Sequence, residues 1–122
     1  MPATSIVRLS VLIAAFTFAA SVAANAHAML DRAIPAVGST VSAPKAVVLT
    51  FSEGVEAAFS HIEVTDAKGR RVDGGKSSSG GAKNELRTAL KGVGPGRYTV
   101  KWSVLSVDTH KTSGSFSFQV NP

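Results

Sequence analysis

Three histidines and one aspartate are the residues of this 122-residue chain whose types and spacing point most directly to metal chemistry. The histidines are His27, His61 and His110, and Asp108 precedes His110 by two positions. On an extended strand, residues two apart point to the same face at a spacing of about 6.6 Å, so this carboxylate and imidazole can converge on one metal ion. An aspartate that orients or caps its neighbours near a strand end explains the same pair.

The first 26 residues have the pattern of a secretory signal peptide. Arg8 supplies a positive charge, the segment 9–24 is uncharged and mostly apolar, and Ala24-Asn25-Ala26 has the small-x-small pattern of a cleavage site. A membrane anchor is the alternative, but an apolar run of about sixteen residues is shorter than the roughly 20 that a spanning helix needs. We therefore predict a signal peptide over 1–26 and an exported domain over 27–122.

Cleavage after Ala26 makes His27 the first residue, and this changes its chemistry. Its α-amine and its ring Nδ1 can then chelate one metal ion in a closed ring. A second acceptable cut, after Ala28, removes the histidine and leaves Met29 first. The choice between the two cuts decides whether an N-terminal metal site exists.

An N-terminal His27 combines with the Asp108 and His110 pair into a copper-type donor set. The amine, the two imidazoles and the carboxylate make three nitrogen donors and one oxygen donor, which suit tetragonal Cu(II). Zinc accepts the same ligands, but Cu(II) binds more tightly at equal availability. The chain has no cysteine and only two methionines, which argues against a Cu(I) site. We expect one Cu(II) per mature chain.

The composition is that of one small globular domain. Charged residues make up 17% of the chain and hydrophobic residues 44%, which excludes a disordered polyelectrolyte. Removing 26 of the 122 residues leaves 96, enough for one modest core, and lowers the formal charge from +5 to +4. The absence of cysteine excludes disulfide frameworks, thiolate zinc sites, iron–sulfur clusters and cysteine nucleophiles. Nothing in the composition demands nucleic acid, and no nucleic-acid partner is expected.

The mature chain has the pattern of short β-strands separated by Gly, Pro and Ser clusters. The predicted strands are 47–51, 61–65, 85–90, 97–107 and 115–120, with turns at 66–69 and 95–96 and a mobile Gly/Ser loop over 74–82. About six or seven strands predict an all-β fold, a small antiparallel Greek-key barrel or sandwich of the immunoglobulin-like or cupredoxin-like kind. Trp102, on the longest strand, is expected to fill the core, and a sugar-stacking platform is its alternative role.

Several sequence blocks resemble the CopC family of periplasmic copper-binding proteins over nearly the whole mature chain. They are His27 after Ala-x-Ala, Pro35-Ala36-x-Gly38, Pro44, Leu49-Thr50-Phe51-Ser52-Glu53-x-Val55-Glu56, Gly96-x-Tyr98-x-Val100-x-Trp102-x-Val104-x-Ser106-x-Asp108-x-His110, and Gly114 with Phe116 and Phe118. The Phe-Ser-Glu block and the Trp-x-Val-x-Ser-x-Asp-x-His block, in this order and spacing, are specific. The resemblance implies a Greek-key β-barrel in the periplasm, Cu(II) ligands at His27, Asp108 and His110, and an acidic neighbour of the site at Glu53.

Two departures from the family pattern bear on the site. Family members with a second, Cu(I) site carry a Met-rich loop with a histidine, whereas this chain has no methionine after Met29, so that site is predicted to be missing. His61 lies in roughly that region and is interpreted as a surface strand histidine, with an auxiliary ligand as the alternative. Thr109 stands where the family often has glycine between the Asp and the His. This restricts the backbone but leaves both ligand side chains in place.

The remaining charged residues near these motifs have two interpretations each. Glu53 follows a buried strand and is either solvated or accepts a hydrogen bond from the N-terminal amine or a metal-bound water, which the resemblance favours. Glu56 is expected to be solvated. Arg70, Arg71 and Lys76 are expected in a solvated turn and loop, and a patch that recognises a membrane partner is the alternative.

These observations predict a monomeric, exported Cu(II)-binding protein that buffers or transfers copper and is not an enzyme. The resemblance implies an inner-membrane partner of the CopD type. One alternative is a copper oxidative enzyme, because polysaccharide monooxygenases also hold copper between an N-terminal histidine and a second histidine. Against it, 96 residues leave little room for a substrate platform, and Asp108 would fill the plane where oxygen binds. The other alternative is a metal-free immunoglobulin-like interaction module.

Overall fold

The computed structural model describes residues 28–122, so the predicted signal peptide and His27 lie outside the described residues. The described part forms strands joined by turns and one short 3-10 turn, Ala57–Phe59. The strands are β1 (Leu30–Ile34), β2 (Thr40–Val41), β3 (Ala46–Phe51), β4 (His61–Thr65), β5 (Asp73–Ser79), β6 (Glu85–Leu90), β7 (Gly96–Leu105) and β8 (Lys111–Val120). Between residues 28 and 122, no helix has the length and apolar character that a membrane crossing requires.

The strands pack as a sandwich of two four-stranded sheets, in the orders β1-β3-β6-β5 and β2-β8-β7-β4. The named strand pairs are antiparallel except β2 with β8, which run parallel. The connections from β3 to β4, from β4 to β5 and from β6 to β7 cross between the sheets, while β5–β6 and β7–β8 are hairpins. The predicted all-β Greek-key fold is therefore confirmed.

The core forms because apolar residues alternate along the central strands and face the opposite sheet. In β7 the four residues predicted on one face, Tyr98, Val100, Trp102 and Val104, are all buried. The Trp102 ring is 9% exposed and meets Phe51 of the other sheet edge-on, with ring centroids 5.2 Å apart. Trp102 is therefore a core residue, as predicted.

Gly114 of β8 lies opposite Trp102 and makes room for its ring. A Cβ atom at Gly114 would stand 2.6 Å from Trp102 Cζ2, closer than two carbon atoms can approach. A larger residue at position 114 would displace the indole from the core.

The prediction of a mobile loop over 74–82 is wrong, because most of that segment belongs to β5. This edge strand pairs with β6 through a register shift between Asp73 and Ser77. Its backbone is also bonded to side chains, since Thr88 Oγ1 donates to the Lys76 carbonyl at 3.0 Å. Gly and Ser leave no apolar alternation in the sequence, so the usual strand signal is missing.

Two short strands at the start of the domain were not predicted either. β1 carries the adjacent charges Asp31 and Arg32 at a register shift in its pairing with β3, which breaks the alternation. β2 spans only Thr40–Val41. By contrast, the predicted strands 61–65 and 85–90 coincide with β4 and β6.

A buried carboxylate closes the open side of the sandwich between β5 and β4. The Asp73 side chain is 0% exposed, and its Oδ2 accepts the N–H of Val64 in β4 at 2.9 Å. Its Oδ1 accepts from the Gly75 N–H at 2.9 Å and from Arg71 Nη2 at 2.8 Å. Nearby, Ser77 Oγ accepts the N–H of Ile62 at 2.8 Å. Arg71 is exposed, as expected, and its guanidinium is also the ion-pair partner of Asp73.

We expect Asp73→Asn to lower the free energy of unfolding at pH 7 by about 2 kcal/mol, because it removes the charge of a buried carboxylate that accepts hydrogen bonds from Arg71, Val64 and Gly75. Burial alone raises the pKa of Asp73, but hydrogen bonds from Arg71, Val64 and Gly75 outweigh it and lower the pKa. Because the pKa of Asp73 is lower in the folded protein than in the unfolded chain, its ionised form stabilises the fold. This stabilisation is fully present above the pKa of the unfolded chain, about 3.9, and it is lost as the pH falls through the pKa of the folded protein. Urea unfolding should therefore show a difference in unfolding free energy between the parent protein and Asp73→Asn that is smaller at pH 3 than at pH 7.

Asp31→Asn is the matched control for this stability prediction, because Asp31 is exposed on β1. Its effect should stay within about 0.5 kcal/mol at both pH values. The role given to Asp73 would be contradicted if the loss of unfolding free energy in Asp73→Asn does not depend on pH. A loss no larger than that of Asp31→Asn would contradict it as well.

Candidate metal centre

Three described segments meet at the end of the sandwich where β3 and β7 end. Residues 52–56 follow β3, residues 106–110 connect β7 to β8, and residues 28–29 begin the described chain. The first two lie side by side, since Val55 pairs with Ser106 and the Val107 N–H donates to the Gly54 carbonyl at 3.0 Å. Glu53, Asp108 and His110 therefore belong to the same end of the domain.

Asp108 and His110 lie in the β7–β8 turn rather than on an extended strand. β7 ends at Leu105, so the predicted strand over 97–107 is too long and the expected strand geometry of the pair is wrong. The turn is closed by the Ser106 N–H to the His110 carbonyl and by the Thr109 N–H to the Ser106 carbonyl, each at 2.9 Å. It brings His110 Nδ1 to 3.6 Å from Asp108 Oδ1, closer than a strand would.

Ser106 forms hydrogen bonds with both candidate ligand residues, Asp108 and His110. This residue is fully buried. Its hydroxyl donates a hydrogen bond shared between Asp108 Oδ1 and the His110 carbonyl. The same oxygen accepts the His110 N–H at 3.2 Å. The hydrogen bond from Ser106 lowers the pKa of Asp108 more than burial raises it, and His110 lowers it further. Asp108 is therefore an ionised oxygen donor at neutral pH. Sequence reasoning included Ser106 in a motif but gave it no role.

Thr109 has the left-handed backbone that the family's glycine suggested. Its φ is +74°, a region that costs an L-residue about 1–2 kcal/mol and that glycine adopts freely. The Thr109 hydroxyl donates to the Asp108 carbonyl at 2.6 Å. The side chains of Asp108 and His110, the residues on either side of Thr109, lie close together in the turn.

The start of the domain is fixed between the two sheets. Ala28 is 0% exposed, and its carbonyl accepts from Thr112 Oγ1 at 2.8 Å. The Met29 N–H donates to Ser52 Oγ, and the Ser52 N–H donates to the Met29 carbonyl, both at 2.8 Å. Thr112 is two residues from His110 and Ser52 is next to Glu53, so residue 28 is held close to both. His27, which precedes it, is outside the described residues.

Glu53 has one carboxylate oxygen that is neither solvated nor bonded. Its Oε1 is buried and has no hydrogen-bond partner in the described part of the chain. Leaving a buried charged acceptor unpaired is costly, so such an atom calls for a donor or a cation. The simple expectation of a solvated Glu53 is therefore wrong, whereas Glu56 is exposed, as expected.

His61 is exposed on β4, opposite Ser103 of β7, so it is a surface strand histidine as predicted. Across residues 28–122, no three histidine, cysteine or acidic residues stand close enough together to hold a metal ion. The described chain thus supplies a pair of candidate ligands, Asp108 and His110, whose side chains are 40% and 47% exposed and open to an incoming ion.

Comparison with known proteins shows that the chain is similar to copper-related proteins. The family model described as the CopC domain matches residues 30–121. Protein YobA of Escherichia coli (strain K12) is 40% identical over 98 residues, which cover 78% of this chain and 79% of YobA. The crystal structure of CopC from Methylosinus trichosporium OB3b is similar with a TM-score of 0.73 at 36% identity, covering 79% of this chain and 95% of that one. PcoC, described as a methionine-rich copper resistance protein from Escherichia coli, has a TM-score of 0.71 at 29% identity, covering 79% of this chain and all of PcoC (100%).

Proposed function

The chain belongs to the CopC family of copper resistance proteins, and from this copper-related function we propose that it is an exported protein that binds one Cu(II) in the periplasm and buffers or transfers it. The ligands in this proposal are His27, through its α-amine and Nδ1, with His110 and Asp108. The observation that carries it is the meeting of the Asp108–His110 turn, the fixed start of the domain and the unpaired Glu53 oxygen at one end of the sandwich.

The separation of the two described ligands suits a single ion. Metal–ligand bonds of about 2.0 Å put two donors of one square-planar ion about 2.8 Å apart when adjacent and about 4.0 Å when opposite. The 3.6 Å between His110 Nδ1 and Asp108 Oδ1 falls between these limits. Small side-chain rotations are therefore enough to bring both onto one ion.

The anchoring of Ala28 supports His27 as the third ligand residue. One peptide bond keeps neighbouring Cα atoms about 3.8 Å apart, so the residue before Ala28 starts close to Thr112 and Ser52. Cleavage after Ala26 then delivers a free amine and an imidazole to the end of the sandwich that carries His110.

The donor set supports Cu(II) over Cu(I). Nitrogen and oxygen ligands suit Cu(II), whereas Cu(I) selects thiolate and thioether sulfur. The mature chain has no cysteine and no methionine after Met29, in contrast to the methionine-rich PcoC. We propose a single site per monomer.

Glu53 fits an outer position in this site. Its buried Oε1 can accept a hydrogen bond from the N-terminal amine or from a copper-bound water, which would satisfy the unpaired atom. Together with Asp108 it also adds negative charge beside the proposed ligands. With Asp108 as a direct ligand in the copper plane, we propose a binding protein rather than an oxidative enzyme, with an inner-membrane copper transporter of the CopD type as its partner.

The two carboxylates give the experiment that tests this arrangement. Glu53→Gln should leave the copper stoichiometry and the nitrogen donors unchanged and weaken binding by about 10–100-fold, the usual cost of losing an outer partner of a metal ligand. Asp108→Asn should instead change the electron paramagnetic resonance spectrum of bound Cu(II), because it removes an oxygen ligand. If Glu53→Gln changes the spectrum and Asp108→Asn does not, the two carboxylates have each other's roles.

Glu56→Gln is the matched control, because Glu56 is exposed on the same segment and is given no role. Its affinity should stay within about twofold of the parent protein, since a surface charge acts only weakly through solvent. If Glu56→Gln loses as much copper affinity as Glu53→Gln, the effect of Glu53 is explained by its negative charge alone and not by a hydrogen bond in the site.

A further inference from the structure

The end of the sandwich opposite the Asp108–His110 turn carries an excess of positive charge. Its loops and strand ends hold a set of six basic residues, Lys45, Lys68, Arg70, Arg71, Lys91 and Arg97. The acidic residues there are Asp66 and the buried Asp73, and both already have arginine partners. The charge of the domain is therefore unevenly distributed, and this basic end repels copper ions and attracts anions.

An open pocket of about 370 Å³ lies at this basic end. One side is the turn 66–70 between β4 and β5, and the other is the glycine-rich segment 92–97 that leads into β7. The charged residues that line it are Lys68, Arg70 and Asp66 on the turn, and Arg97 on the opposite wall. The lining thus includes three cationic residues and one acidic residue, around a space large enough for a small ligand.

The carboxylate does not compete for a ligand, because local hydrogen bonds engage it. Asp66 Oδ1 accepts the N–H groups of Lys68 and Arg70, each at 2.9 Å, and Oδ2 accepts from Arg70 Nε at 3.2 Å. The two terminal nitrogens of Arg70 make no hydrogen bond within residues 28–122, and Lys68 has no ion pair there. Arg97 uses one terminal nitrogen, in a 3.3 Å hydrogen bond to Ser117 Oγ. Most of the cationic N–H donors of the pocket are therefore available.

Backbone donors add to these side chains. Gly92 and Gly94 line the same pocket, and their N–H groups donate no hydrogen bond within the described chain. Neither glycine has an atom within 4 Å of where a Cβ would stand, so a ligand can approach the backbone. The Tyr98 hydroxyl donates to the Gly94 carbonyl at 2.7 Å and fixes this segment against the sheet. The donors are thus held on a rigid wall.

We propose that this pocket binds a phosphate-class oxyanion, either as a free anion or as the headgroup of an anionic phospholipid. Guanidinium groups, an ammonium group and free backbone N–H groups are the donors that proteins use for phosphate oxygens. The site is at the far end of the domain from His110, so it stands independently of the copper proposal.

The test is a titration of the copper-free mature chain with inorganic phosphate, monitored by NMR of the backbone amides. Phosphate replaces chloride in the buffer, so that the ionic strength stays constant. Inorganic phosphate should give saturable shifts at Gly92, Gly94 and Gly96. Arg97→Gln should weaken binding by about tenfold, the size expected for one lost hydrogen bond to a charged group. Arg87→Gln, an exposed arginine of β6 outside the pocket, is the matched control and should change affinity by less than about twofold.

Vesicle sedimentation distinguishes the two sources of the oxyanion. The protein would be assigned a lipid headgroup as its ligand if it binds phosphatidylglycerol vesicles but not phosphatidylcholine vesicles. In that case, both added phosphate and the Arg97→Gln substitution should weaken the vesicle binding. Phosphate binding without vesicle binding would assign the pocket to a soluble anion. A phosphate response that does not saturate, or equal losses in Arg97→Gln and Arg87→Gln, would overturn the proposal.

Discussion

Replacing His110 with alanine is expected to weaken Cu(II) binding by more than the roughly 10–100-fold that the loss of an outer partner costs, because it removes a direct nitrogen donor. The Asp108 carboxylate, 3.6 Å from His110 Nδ1, should not compensate, since in the proposed site it is a ligand in its own right. Competition titration against a chelator of known copper affinity measures this loss. The fold should be unaffected, because His110 is an exposed residue of a turn.

His61→Ala is the matched control for this substitution. His61 is also an exposed histidine, but it lies on β4 opposite Ser103 and outside the segments of the proposed copper site. We expect its copper affinity to stay within about twofold of the parent value, as for a distant surface residue. Equal losses in His110→Ala and His61→Ala would show that His61 is a ligand and that the assigned site is incomplete.

Acetylating the α-amine of His27 is expected to weaken Cu(II) binding by about 100- to 10,000-fold, the size of the gain when two binding groups are linked. Acetylation converts the α-amine into an amide without adding a new amine, and it removes the chelate ring that this amine would form with the His27 imidazole. His110 and Asp108 remain in place, so residual weak binding should persist. The measurement is the same competition titration on the two otherwise identical chains.

A chain that begins at Met29 gives the control for this prediction. It lacks His27 and the buried Ala28 but keeps the contacts of Met29 with Ser52, and circular dichroism checks that it is folded. It should bind copper as weakly as the acetylated chain or more weakly. If both bind as tightly as the chain that begins at His27, the N-terminal histidine is not a ligand.

The strand pattern could be predicted wherever burial alternates along the chain. The predicted strands 61–65 and 85–90 match β4 and β6, because each has a clear inward and outward face. β5 could not be predicted in this way, because its stability comes from hydrogen bonds of Ser77 and Asp73 to the facing strand rather than from apolar side chains. Periodicity records burial, and it carries no information on such side-chain-to-backbone bonds.

The candidate ligands could be predicted from residue type, but their geometry could not. Asp108 and His110 were expected to share the face of a strand, and the structure instead brings them together in a turn that Ser106 holds from below. The role of Ser106 depends on a buried hydroxyl with three neighbours, which spacing alone does not reveal. In the same way, the unpaired oxygen of Glu53 is a property of packing and has no signal in the sequence.

The measurement that tests the central claim most directly is a Cu(II) titration of the mature protein, with its first residue identified by N-terminal sequencing, followed by electron paramagnetic resonance. We predict that the protein begins at His27 and binds one Cu(II) per chain. The spectrum should be that of a tetragonal site with nitrogen and oxygen donors and no sulfur donor. A mature chain that begins at Met29 and still binds Cu(II) tightly, or a preference for Cu(I), would contradict the account.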